Sequence, residues 1–197
     1  TQSDAQLGNN PVPCFYTNIN PFTQTIWLSA EDPLTHCVST MPIILQVDPS
    51  PLLPSPVADL EVCDTDANNQ DGQPLVDLTV QTAALLAVQA PPASNYSVTY
   101  YTTQSAAEAG TGNIINTTNY LAYNGQMLWV RVENLTTGCY SVGPFNVIIN
   151  IPLLLTNPTP LSVCDNDANP NDQHTTFDLT VKDNEITAGL AGYTVTY

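Results

Sequence analysis

Leu60-Glu-Val-Cys-Asp-Thr-Asp-Ala-Asn68 returns, 101 positions on, as Leu161-Ser-Val-Cys-Asp-Asn-Asp-Ala-Asn169. The offset holds through Val76-Asp-Leu-Thr-Val80 and Phe177-Asp-Leu-Thr-Val181. Further landmarks lie 102 apart: Thr1-Gln-Ser3 and Thr103-Gln-Ser105, Gly8 and Gly110, Trp27 and Trp129, Cys37 and Cys139. Tyr96-Ser-Val-Thr-Tyr100 returns after 97 positions as Tyr193-Thr-Val-Thr-Tyr197. Self-similarity at a fixed period marks an array of like units. Residues 1–56 read as the C-terminal half of one repeat, 57–158 as one complete repeat, and 159–197 as the N-terminal half of the next. Such a frame cuts through domains, and an excerpt from a longer array is expected.

Within the complete repeat, strand signals dominate. Leu60–Cys63, Leu75–Val80, Val98–Thr102, the alternating Met127–Glu133, and Tyr140–Val142 running on through Phe145–Ile151 all read as strands. Asn134–Gly138 reads as the turn of a hairpin, and Asn124-Gly125 is a second hairpin signal. Helical signal is confined to Thr82–Val88 and Ser105–Ala109. Short strands punctuated by turns over about 100 residues predict an all-β fold of tandem immunoglobulin- or fibronectin-like antiparallel sandwiches. Trp27 and Trp129 are the expected core anchors. The prolines at 49–56 and 152–160 mark linkers, expected to act as semi-rigid spacers.

The charge balance narrows the partners. There are 18 acidic residues against two basic ones, for a net charge of −16. Such a surface repels nucleic acid and anionic membrane, and no apolar run approaches a membrane span. Five cysteines with almost no lysine suggest an exported protein in an oxidising compartment.

First and last strands of a sandwich are often neighbours, so Cys63–Cys139 is the preferred disulfide. The alternative, Cys37–Cys63 with Cys139–Cys164, staples adjacent repeats, and spacing alone does not decide between them. Cys14, which stands where the complete repeat has Asn116, is either free or a partner of Cys37.

The stretch after each first cysteine carries oxygen side chains at alternating positions. Asp64, Asp66, Asn68 and Asp71 form the first set, with Asp77 following. Asp165, Asp167, Asn169 and Asp172 form the second, with Asp178 following. Hard oxygens gathered on a tight loop suit calcium, so a structural Ca2+ is the expected cofactor. The competing reading is that Asp and Asn simply build turns. The loop resembles Asp-x-Asp-x-Asn calcium loops, without the twelfth-position glutamate or helix pair of an EF-hand.

No motif for catalysis stands out, and no enzyme is expected. His36 and His174 read as surface residues. Asn95, Asn116 and Asn134 begin N-glycosylation-like triplets. Tyr96, Tyr100, Tyr101, Tyr120 and Tyr123 are candidates for a sugar-binding face or, more simply, for packing.

Taken together, Leu-x-Val-Cys-Asp, the acidic loop, Asp-Leu-Thr, Val-Thr-Tyr, Trp-Val-Arg-Val-Glu-Asn and Thr-Thr-Gly-Cys-Tyr-Ser-Val resemble the repeats of giant Bacteroidetes surface proteins. Those include the gliding-motility adhesins exported by type IX secretion. The resemblance implies a structural or adhesive segment of a long extracellular, cell-surface filament. Its partners would be neighbouring repeats and a surface polysaccharide or substratum. The alternatives are a pilin-type subunit joined by strand exchange and a carbohydrate-binding module.

Overall fold

The structure is a computed structural model that describes residues 1–170 and 172–197. The complete repeat is built on a four-stranded sheet of β3 (Leu60–Cys63), β8 (Tyr140–Asn150), β7 (Gln126–Asn134) and β5 (Tyr96–Tyr101), in that order. β5, β7 and β8 pair antiparallel, whereas β3 runs parallel to β8. A short ladder of β4 (Leu75–Val76) and β6 (Tyr120–Leu121) forms the other layer. The fold is β-rich, as expected, but its second layer is small.

Helical turns complete that layer. Asp77 ends β4 after two residues, because its Oδ1 accepts hydrogen bonds from the Thr79 backbone N–H (2.8 Å) and hydroxyl (2.6 Å). This Asp-Leu-Thr cap converts the expected strand Leu75–Val80 into a 3-10 turn, Leu78–Gln81, which leads into α2 (Thr82–Ala87). The Thr-Gln-Ser…Gly landmark also encodes a cap. Thr1 and Thr103 accept from the third backbone N–H of α1 (Gln2–Leu7) and α3 (Gln104–Ala109), and Gly8 and Gly110 close both helices at positive φ.

The core lies between the two layers. Leu78, Leu128, Val130, Val132 and Val147 are wholly buried, and Tyr100 meets Phe145 edge to face at 6.0 Å. Burying each such side chain stabilises the fold by about 1.5–3 kcal/mol. Trp129 is not among them. It alternates onto the opposite face of β7, half-buried and across from Tyr101. Arg131 shares that face and ties α3 to it. Its Nη1 donates to Ala107 O (2.9 Å) and Glu108 O (3.0 Å), and its guanidinium lies 3.5 Å from the centre of the Tyr140 ring.

The turn over Asn134–Gly138 forms the expected β7–β8 hairpin. Asn124-Gly125 does make a turn, but it joins β6 to β7, which lie in different sheets, so no hairpin arises there. In the first copy, β1 (Thr23–Glu31) and β2 (Val38–Gln46) pair over nine positions in the same register as β7 and β8. In the third copy, a 3-10 turn (Leu179–Lys182) and α4 (Asp183–Ile186) recur, and Leu161–Cys164 takes no strand.

The linker into the complete repeat is docked along its length rather than suspended as a spacer. Ser141 donates to Pro51 O (2.7 Å), and the side chain of Gln89 both accepts from Leu52 N–H (2.9 Å) and donates to Leu52 O (2.6 Å). Gly143 makes room for it, since a Cβ there would stand 2.5 Å from Leu53 Cδ2.

Candidate functional site

The functional side chains gather at the two poles of β8. At its start, Cys139 closes the β7–β8 turn, and its thiol donates to Asp48 O in the incoming linker (3.7 Å). At its end, Asn150 lies beside Cys63, and Asp64 N–H donates to Asn150 O (2.9 Å). The parallel pairing of β3 with β8 puts the two cysteines at opposite ends of an 11-residue strand. At about 3.3 Å per residue they are about 35 Å apart, against the roughly 4.4–6.8 Å between α-carbons that a disulfide requires. The expected Cys63–Cys139 bridge is therefore corrected: the two strands are neighbours, but their direction separates the sulfurs. All five cysteines carry free thiols.

The other pairing is not formed in the structure either. Cys37 sits at the tip of the β1–β2 hairpin, a full β2 away from the linker, while Cys63 lies at the far pole of the next unit. Cys139 lies at the near pole of its own unit, and Cys164 stands where Cys63 does in the following copy.

The acidic loop follows Cys63 directly. Asp64 is fully buried, and its Oδ2 accepts from Gly72 N–H at 2.8 Å. Asp66 Oδ1 accepts from Asn68 N–H (2.8 Å), and Asn68 Nδ2 donates to Asp71 Oδ2 (2.7 Å). Carboxylate oxygens of Asp64, Asp66 and Asp71 lie within 4.8 Å of one another, as do those of Asp165, Asp167 and Asp172. Among the described residues the second loop repeats three of these bonds: Asp167 accepts from Asn169 N–H, Asn169 donates to Asp172, and Gln173 N–H donates to Asp165 Oδ2. Gln173 even adopts the positive φ of Gly72, 65° against 66°.

Not every expected ligand joins these clusters. Asp77 lines the groove along β3 with Asp66, but its carboxylate is spent on the Thr79 cap. Asp178 makes the same cap with Thr180, whose hydrogen bonds hold its carboxyl below the usual range. Asn68 and Asn169 turn amide N–H groups toward carboxylates and act as clamps on the loop. Sequence reasoning missed Gln70, whose Nε2 donates to Pro152 O (3.0 Å) and ties the loop to the outgoing linker. A single amide among many polar loop residues gave no signal of that role.

The tyrosines form no shared exposed face. Tyr100 and Tyr101 are buried, burial raises the Tyr100 phenol, and Tyr120 accepts from Gln126 (2.7 Å). His36 and His174 are exposed, and His36 Nδ1 meets Glu31 Oε1 at 2.7 Å. Among the described residues, no helix is long and apolar enough to cross a membrane.

No curated protein and no solved structure matches the chain. A family model does, over residues 1–51 and 59–153, so that its two matches break across the docked linker. With a cysteine at each pole of the complete unit and most of its length matched, the chain belongs to the Flavobacterium inter-domain disulphide bond domain family.

Proposed function

We propose that this chain is a structural segment of a long extracellular filament, whose domains are locked end to end by disulfides. One observation carries the reading: the two cysteines of a unit lie at opposite poles, each against a linker. Asp48, which Cys139 touches, and Asn150, which lies beside Cys63, are equivalent positions 102 apart in the repeat. The cysteine equivalent to Cys139 in a following unit would therefore fall beside Asn150, and so beside Cys63. Cys63 of one unit pairs with the Cys139 position of the next, and Cys139 with the Cys63 position of the unit before.

The finer parts of the reading draw on the same features. The strand order, with the first strand parallel to the last and a separate β4–β6 ladder, fits a reduced immunoglobulin-like sandwich. A highly acidic surface with few cations fits a cell-surface stalk contacting polysaccharide or substratum, and the resemblance to gliding-motility adhesins exported by type IX secretion fits the family's Flavobacterium origin. Strand exchange has less to recommend it, because residues 57–158 already supply every strand of their own sheet.

The test is non-reducing peptide mapping of an oxidised chain that carries two complete repeats. The expected cross-linked peptide joins the Cys63 position of the first to the Cys139 position of the second. A bridge within one repeat would overturn the reading.

A further inference from the structure

We infer that Asp64, Asp66 and Asp71 form a calcium site at the outgoing pole of the domain. Two independent observations meet there. Three carboxylates offer ligand atoms within 4.8 Å of one another. Within that group Asp64 is 0% exposed, and while its Oδ2 accepts from Gly72 N–H across the loop, its Oδ1 has no hydrogen-bond partner. A buried carboxylate oxygen without a donor is costly, and two further carboxylates beside it raise that cost.

No basic side chain relieves it. The chain has two. Arg131 is committed to Ala107, Glu108 and Glu133, and Lys182 to Thr159 and Glu185. A divalent cation supplies both the missing partner for Oδ1 and the missing positive charge. Its donors here are all hard oxygens, set on a loop that imposes no octahedral frame, which suits calcium better than magnesium.

The site lies between β3 and the outgoing linker. Asp64 follows Cys63 directly, and Gln70 in the same loop donates to Pro152 O. A bound ion therefore fixes the loop that holds the linker at the pole where the chain leaves the domain. Asp165, Asp167 and Asp172 are grouped in the same way, which gives a second site in the next copy. The inference goes beyond the disulfide reading and stands on the loop's own geometry, whatever joins the repeats.

The test is to strip the 197-residue chain with chelator and titrate it with calcium chloride by calorimetry, alongside thermal unfolding. The expected result is about two sites with Kd on the order of 10⁻⁴–10⁻³ M. At 10 mM calcium the Tm should rise by roughly 3 °C or more. Asp64→Asn and Asp66→Asn should each reduce the stoichiometry to about one. Asp66 is exposed, and its asparagine keeps an oxygen for the Asn68 N–H, so that variant folds even if Asp64→Asn does not. No heat and no Tm change, a stoichiometry still at two in Asp66→Asn, or an equal response to magnesium chloride would each overturn the assignment.

Discussion

The β7–β8 hairpin of the complete repeat and the β1–β2 hairpin of the first copy have the same pairing but not the same surroundings. Trp129 faces Pro144 as Trp27 faces Pro42, and the register agrees along the ladder. Yet Leu128 is wholly buried, whereas Ile26, its equivalent, is only partly covered. The hairpin is encoded locally, by its turn and its alternation. Burial is not, because it needs Leu78, Leu85 and Tyr100 from outside the hairpin. The third copy teaches the same lesson. Its described acidic-loop residues and its Asp178 cap repeat the same hydrogen bonds, while Leu161–Cys164, with no strand alongside, stays out of a ladder.

Core truncation should break the comparison most sharply. Leu128→Ala is expected to cost about 2–5 kcal/mol by denaturant unfolding, and Ile26→Ala less than about 1 kcal/mol. Equal costs would mean that the two hairpins share one environment. Next comes the docked linker. Gln89→Ala strands the Leu52 N–H and carbonyl and should cost about 1–3 kcal/mol, with faster proteolysis between 48 and 57. Leu190 stands in the equivalent place of the third copy, and its replacement by Ala should leave linker cleavage unchanged.

A smaller effect distinguishes the hairpin tips. Gly138 turns at φ 74°, whereas His36 is held at φ 57° in the same place. His36→Gly should stabilise the first hairpin by about 1 kcal/mol, less the lost Glu31 contact. That gain is readable as slower amide exchange at Asp32 and at position 36, whose N–H groups donate to Cys37 O and Asp32 O.

The smallest effect is a pH dependence confined to the third copy. Lys182, and then the Thr159 backbone N–H, hold the Glu185 carboxyl below its usual value. Its folded-state pKa is depressed. Its contribution is therefore present above the ordinary glutamate range and is lost as pH falls through the lower, folded value. Contacts of Thr156 and Thr159 with α4 should loosen in acid, seen as local amide exchange, and Glu185→Gln should remove that dependence.

Much of this was legible in the sequence, and the exceptions have physical reasons. Repeat register, the β7–β8 turn, both short helices of the complete repeat and the paired acidic loops follow from local chemistry. The Leu75–Val80 strand failed because a side-chain cap at Asp77 competes with the ladder, and Asp-Leu-Thr spells that cap as clearly as it spells a strand. Trp129 was misplaced by its size. The alternation around it offers two phases, and the one it shares with Arg131 and Glu133 carries the charges, so Leu128, Val130 and Val132 face the core. The cysteine pairing failed because adjacency of first and last strands carries no sign, and only the structure shows that they run the same way.

That direction has a mechanical consequence. The chain enters β3 at one pole and leaves β8 at the other, so tension applied to its ends pulls the two strands past each other. The four paired residues of this ladder are then loaded in shear and must give way together, not one bond at a time as in a hairpin unzipped from its end. Under tension along the chain, the ladder of Leu60–Cys63 on Val147–Asn150 is where the load would fall.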